Sequence, residues 1–397
     1  MDQKKSGQNK NIMIPYGRQD IIDDDIAEVE KVLRSDYLTQ GPTVPKFEQI
    51  VSSYCGASYG IAVNSATSAL HIACLALDLG HDDWLWTSPN SFVASANCGL
   101  YCGAQVDFVD IDLKTYNICI LELEKKLAIA LKNNKVPKIL VTVHFAGQSC
   151  DMKRIYELSQ KYGFFIIEDA SHALGGKYCE KLIGGCQYSD ITVFSFHPVK
   201  LITTAEGGLA TTNSKKLADK MSLYRTHGVT RDQGLMNNKN NKLWYYEQIA
   251  LGLNYRMNDL QAALGISQMK RLNKFIKKRH TIYERYDVLL NNLPITKPYQ
   301  NKDCFSALHL YPIQIELEKI EKSREQIFNE LRENGIGVNV HYIPIHTHPY
   351  YKQLGFHEGD FPNSEFYYSR AISIPMFYNL TIDQQNEICE KLKRIIE

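Results

Sequence analysis

The run Gly163-Phe-Phe-Ile-Ile167 is apolar at every position after its glycine and ends on Glu168 and Asp169. A strand with one wet face alternates apolar and polar residues; a strand without that alternation has to be covered on both faces. Short β-rich runs recur from about residue 58 to 215: Tyr59 to Val63, Trp84 to Thr87, Val106 to Val109, Ile139 to His144, Phe164 to Glu168, Ile191 to Phe196 and Gly208 to Thr212. Helical stretches such as Ser68 to Leu79 and Met152 to Lys161 lie between some of them. The alternation predicts an α/β fold, a mainly parallel sheet with helices on both faces.

Around this block the pattern changes. Residues 18–35 place Ile21, Ile22, Ile26, Val29, Val32 and Leu33 at helical spacing, and Leu38-Thr-Gln-Gly-Pro42 reads as the turn that follows. Residues 226–250 form a polar excursion, rich in asparagine at 237–241 and closing on the aromatics Trp244-Tyr-Tyr246. A long helix is expected from about Met257 through Arg279 and beyond. After it, Leu308 to Glu316 and Gly337 to Tyr342 read as strands, and 319–333 and 382–396 as helices. The expected organisation is a flexible polar lead-in over 1–12, a large domain over 13–279 and a smaller α+β domain over 280–397. A chain of 397 residues exceeds the usual size of one domain, which agrees with that division.

Charge and cysteine usage narrow the function. Lys plus Arg (45) nearly cancels Asp plus Glu (44), so no global field recruits nucleic acid or a membrane surface. An anionic ligand has to be held by local groups. The ten cysteines include no CxxC pair, which argues against a zinc site or redox motif and for a reduced, cytoplasmic setting. The first dozen residues lack the apolar core of a secretory signal, and no run of about eighteen apolar residues marks a membrane span.

Three places carry chemistry. Lys200 follows the Ile191 to Phe196 strand and precedes Thr203, Thr204, Ala205 and the pair Gly207-Gly208. Asp169 closes another strand, where side chains of an open α/β sheet face a ligand crevice; strand alternation sends Glu168 to the opposite side. A lysine amine and a carboxylate are the minimum equipment for pyridoxal phosphate (PLP) chemistry: one forms a Schiff base, the other holds the ring nitrogen protonated. Asn64-Ser-Ala-Thr-Ser-Ala69 joins a strand to an apolar helix, and free N–H groups at such a junction bind anions, with the hydroxyls of Ser65 and Thr67 as further donors. Each residue also has a plain reading. Lys200 alone could be a loop lysine, Asp169 and Ser65 helix caps, His172 a structural histidine, and Phe92 a core side chain. No GxGxxG or GxxxxGK[ST] motif points to a dinucleotide or P-loop site.

Taken together, five ordered motifs resemble the sugar-nucleotide aminotransferases of the fold-type I PLP superfamily, and within it the pseudaminic acid branch. They are Leu38-Thr-Gln-Gly-Pro42, Asn64-Ser-Ala-Thr-Ser-Ala-Leu70, Glu168-Asp-Ala-Ser-His-Ala-Leu-Gly175, the stretch from Ser195 to Lys200 with Thr203 to Gly208, and Gly252-Leu-Asn-Tyr-Arg256. The resemblance implies that Lys200 carries the coenzyme and Asp169 meets its ring nitrogen. It implies further that Ala66, Thr67 and Ser195 cradle the phosphate and Phe92 stacks on the ring. Asn254 would reach the coenzyme phosphate of a neighbouring subunit, making the enzyme a homodimer with shared sites. Tyr16, Asp36, Tyr37, Leu38, Thr39, Asn339, Val340, His341 and Tyr342 would touch the substrate. The implied reaction moves the amino group of L-glutamate to the C4 ketone of a UDP-linked 4-keto-6-deoxy-N-acetylhexosamine. Sugar dehydratases on the same scaffold carry histidine in place of Lys200, so the lysine speaks against that chemistry. The remaining alternatives are a different nucleotide-linked keto sugar or a PLP-binding regulatory protein.

Overall fold

A computed structural model describes residues 13–238 and 242–397. The lead-in expected over 1–12 and positions 239–241 of the asparagine-rich excursion lie outside the described residues.

Seven strands form the central sheet, in spatial order Tyr59–Val63, Gly208–Thr212, Ile191–Ser195, Phe165–Asp169, Ile139–Val143, Trp84–Thr87 and Gln105–Phe108. Only Gly208–Thr212 runs against its neighbours, so the sheet is mainly parallel. Successive side chains leave opposite faces, and the packing follows that rule. Ile61, Leu85, Val141, Ile167 and Val193 pack with the helices Ala66–Ala76 and Ala94–Tyr101. Ala62, Phe194 and Leu209 pack on the other face with Thr43–Cys55 and Asp259–Met269. Trp86, Leu140 and Ile166 share that second face with Ile120–Lys132 and Met152–Tyr162. The continuous apolar runs are therefore covered on both sides.

A second core surrounds a three-stranded antiparallel sheet of Ile295–Thr296, Tyr311–Ile315 and Ala371–Ile374, backed by the helices Arg324–Glu333 and Ile382–Ile396. Ile14 inserts into this core, and its backbone pairs with Gly335 and Gly337. That contact carries the following residues along the small-sheet unit, where the Tyr16 carbonyl accepts from the N–H of Met376.

Two sequence expectations are corrected. The helix expected from Met257 through Arg279 is two helices, Asp259–Met269 and Leu272–Leu289. The chain turns between them where the Arg271 guanidinium is drawn to Asp20 and Asp25. Residues 337–342 form no strand: only Asn339 pairs with Ser373, and the chain then leaves the small sheet. Its exit is fixed by His341 on the Ser373 hydroxyl and by the Tyr342 N–H donating to Asn90 Oδ1.

Candidate active site

Val143, Asp169 and Ser195 are the last residues of three adjacent parallel strands, and all three line one cavity of about 550 Å³. The remaining wall comes from the Ser65–Thr67 turn, Phe92, His172, the loop bearing Lys200, and residues of the small-sheet unit.

Asp169 is buried and held on both oxygens. Oδ2 accepts from Ser95 Oγ at 2.6 Å, and Oδ1 accepts from Ser171 Oγ at 2.6 Å and Ser171 N at 3.1 Å. No helix directly follows Asp169, so the cap reading is not realised: Oδ1 closes only a local turn with Ser171, and the side chain borders the cavity. Glu168 does point the other way, into a buried network with His144 Nε2 at 2.7 Å, Thr192 Oγ1 at 2.8 Å and Ser189. Burial alone would raise the Glu168 pKa; these donors outweigh it and hold the carboxyl below its ordinary value.

Lys200 sits half-buried on a loop pinned by its hydroxyls. Thr203 Oγ1 donates to the Phe196 carbonyl, the Ala205 N–H donates to Thr203 Oγ1, and Thr204 Oγ1 donates to the Glu206 carbonyl. Desolvation by the cavity walls pushes the Lys200 pKa down to about 8, against the opposing charge of Asp169. Among the described residues lining the cavity, Lys200 is the one lysine or arginine.

The turn at Ser65 is a helix N-terminus. Ser65 Oγ accepts from Ser68 N at 3.1 Å and Ala69 N bonds the Ser65 carbonyl, which leaves the N–H groups of Ala66 and Thr67 at the wall for a ligand anion. The Ser65 hydroxyl accepts this capping bond and also lies on the cavity wall. Gly208 makes this turn possible, since a Cβ there would sit 2.5 Å from the Ser65 carbonyl and Ala66 N.

Phe92 is 61% exposed and borders the cavity, so the core reading of this side chain does not hold. His172 is buried; its Nε2 lies 3.1 Å from the Tyr342 hydroxyl, and its ring is 4.4 Å from that of His309. Burial, reinforced by the Lys200 charge, holds His172 and His309 well below the ordinary histidine pKa and His341 at about 3. Tyr16, Asn339, Val340, His341 and Tyr342 line the same cavity. Asp36, Tyr37, Leu38 and Thr39 do not; all four are exposed on the surface, as is Asn254. Sequence reading missed Ser95, Ser171 and His309. The first two are ordinary serines until the fold brings Asp169 to them, and His309 lies in a plain apolar run, Ala307-Leu-His-Leu310.

A model of the DegT/DnrJ/EryC1/StrS aminotransferase family matches residues 19–393. The chain is 38% identical over 393 residues to the spore coat polysaccharide biosynthesis protein SpsC of Bacillus subtilis, a match covering 98% of this chain and 99% of that protein. It is 36% identical over 386 residues to a UDP-4-amino-4,6-dideoxy-N-acetyl-β-L-altrosamine transaminase of Campylobacter jejuni, with 97% and 98% covered. Among solved structures, Helicobacter pylori PseC, an aminotransferase involved in the biosynthesis of pseudoaminic acid, superposes with a TM-score of 0.87 at 32% identity, covering 97% of this chain and 99% of that one. A sugar aminotransferase of Streptococcus pneumoniae in its PLP form superposes with a TM-score of 0.86 at 29% identity, covering 96% and 98%. The chain belongs to the DegT/DnrJ/EryC1/StrS family and is a PLP-dependent sugar aminotransferase.

Proposed function

We propose that this enzyme transfers the amino group of L-glutamate to the C4 ketone of a UDP-linked 4-keto-6-deoxy-N-acetylhexosamine, in the cytoplasm, as a step of pseudaminic acid biosynthesis. The observation that carries the reading is the placement of a desolvated lysine and a braced aspartate on one cavity at the carboxyl edge of a parallel sheet. The relatives of Campylobacter jejuni and Helicobacter pylori support the sugar and the pathway.

The residues present fit PLP. The turn kept open by Gly208 suits a phosphate, Phe92 offers an aromatic face, and Asp169 offers an acceptor fixed by two serines. When bound, the coenzyme supplies an aldehyde and an electron-accepting ring. Ala66 and Thr67 would hold its phosphate through their N–H groups, with Ser195 beside them. Asp169 would keep the ring nitrogen protonated. Lys200 Nζ, with a pKa near neutrality, is suited to bond the aldehyde and, once released, to take and return the proton of the amino donor. His172 is held neutral and fixed by Tyr342, so it can orient the bound ring without adding charge. Tyr16 and residues 339–342 would meet the sugar.

Asn254 and Asp36 through Thr39 lie off this cavity and are exposed, so they are assigned to a second protomer's site, with Asn254 reaching the neighbouring phosphate and Asp36 through Thr39 the neighbouring substrate. The exposure of Leu38, Trp244 and Leu251 supports a homodimer. The test is a coupled assay that reads 2-oxoglutarate across a panel of 4-keto UDP- and dTDP-sugars with glutamate as donor. Turnover confined to the UDP-N-acetylhexosamine members is expected; a preference for another nucleotide or for a C3 ketone would replace this substrate assignment.

A further inference from the structure

Asp259 is a fully buried carboxylate that pairs with no cation among the described residues. Every hydrogen bond its side chain makes goes to one stretch of backbone, 215 to 218 positions earlier in the chain. Oδ2 accepts from the N–H of Gly41 at 2.8 Å, and Oδ1 accepts from those of Thr43 and Val44 at 3.0 Å each. In the other direction, the Asp259 N–H donates to the Leu38 carbonyl at 3.0 Å. Bonds of this kind to an ionised acceptor are among the strong ones.

Two of these partners belong to a helix and two do not. Thr43 and Val44 open the helix Thr43–Cys55, whose N-cap is Pro42, and a proline side chain offers no acceptor. Asp259 supplies from another element the anion which that helix end lacks. Capping does not account for Gly41 and Leu38, which precede the helix and lie in the loop ahead of it. The near end of this loop is tied as well: Ser35 Oγ donates to the Val32 carbonyl at 2.8 Å and accepts from Tyr37 N at 3.3 Å. Between the two ties Asp36, Tyr37, Leu38 and Thr39 stand exposed. The packing leaves little slack, since a Cβ on Gly41 would lie 2.4 Å from Tyr37 Cβ and 2.8 Å from Asp259 Oδ2.

We propose that Asp259 is a positioning residue for the nucleotide sugar: it holds Asp36 through Thr39 in the conformation that meets the substrate in the neighbouring subunit's cavity. The proposal rests on the shared-site reading above and adds to it a residue that touches neither substrate nor coenzyme. A solvated loop without the pin samples many conformations, and apparent affinity falls by the fraction that remains competent. The amino-donor half of the reaction takes place without the sugar. Asn254 has its own ties, to Thr226 and at the Gly228–Gly252 crossing. Both should be indifferent to Asp259.

Asp259→Asn keeps one accepting oxygen and turns an NH2 group against a backbone N–H that had an acceptor. The experiment follows the two half-reactions of the holoenzyme separately by coenzyme absorbance, using whichever 4-keto nucleotide sugar of the panel the wild type turns over. KM for that sugar should rise on the order of tenfold, as for a loop competent about a tenth of the time, with kcat far less affected. The amino-donor half-reaction and coenzyme retention should match wild type. Gly41→Ala leaves the carboxylate in place and crowds the loop from the other side, so it should give the same pattern. Added to Tyr37→Ala, Asp259→Asn should raise KM less than it does alone, because both act through one loop. Equal losses in the two half-reactions, or a lower melting temperature with an unchanged sugar KM, would reduce Asp259 to a helix cap and overturn the proposal. An unchanged KM in a dimeric variant overturns the pin alone; a wild type that is monomeric by native mass spectrometry overturns the shared site and the pin with it.

Discussion

At the scale of single residues the site is governed by desolvation. An ordinary lysine amine, with a pKa of about 10.4, is almost wholly protonated at neutral pH and cannot attack an aldehyde. With its pKa lowered to about 8, roughly a tenth of Lys200 is the free base at pH 7. The rate at which coenzyme-free protein takes up PLP covalently should therefore rise with pH and level off above about 8; stopped-flow absorbance of the bound coenzyme checks this. A rise that continues toward pH 10 would show that the amine is not desolvated. Borohydride reduction should fix the label on the peptide containing Lys200. Ser95→Ala removes one of the donors on Asp169, a hydrogen bond to a charged acceptor worth about 1.5–3 kcal/mol, and urea denaturation should show a loss in that range. The two residues differ in how they could be found. Lys200 and Asp169 were legible because strand ends and glycine pairs frame them. Ser95 was not, because its role exists only once a contact spanning 74 positions has formed.

Elements repeat the lesson at a larger spacing. The strands Tyr59–Val63, Trp84–Thr87 and Gly208–Thr212 and the helix Ile382–Ile396 have the bounds read from sequence. Their apolar runs stop at glycines, polar caps or turns, so the local signal and the packed result coincide. The break at Lys270–Arg271 and the loss of the 337–342 strand were illegible, since each is decided by a distant partner: Asp20 and Asp25 in one case, Asn90 and Ser373 in the other. Gly208 shows how an element shapes the site. Gly208→Ala would press a methyl group on the Ser65 carbonyl and Ala66 N, an overpacking cost of about 1–3 kcal/mol. Coenzyme retention during dialysis should fall more than global stability does, because the strain lands on the anion turn. Glu168 gives a pH test of the opposite face. Its folded pKa lies below the unfolded value of about 4.3, so its stabilisation is present above that pH and is lost as pH falls through the folded value. Glu168→Gln should flatten the loss of stability below about pH 4.3, measured as denaturant midpoints from pH 7 down to 3.

If the enzyme is the homodimer proposed above, the decisive question for the whole molecule is which protomer supplies which group. Lys200 and Asp169 border a protomer's own cavity, whereas Asn254 lies on the surface. Its backbone is held there by pairing with Thr226 and by the close crossing of Gly228 and Gly252, where a side chain on either glycine would strike the other strand's backbone. A surface asparagine on so rigid a crossing is suited to reach out of its own subunit. If it does, a site consists of Lys200 from one chain and Asn254 from its partner. Lys200→Ala homodimers should be inactive, and Asn254→Ala homodimers should lose coenzyme readily and turn over slowly. Mixed and reassociated in equal amounts, the two variants form heterodimers in which one site carries both lesions and the other carries neither. About a quarter of the wild-type rate should return, as half the dimers then hold one intact site of two. If Asn254 acted within its own chain, every heterodimer site would keep one lesion, and the mixture would perform no better than the average of its parents. Recovery of turnover on mixing, followed with subunit exchange by native mass spectrometry, therefore reads out the shared site directly.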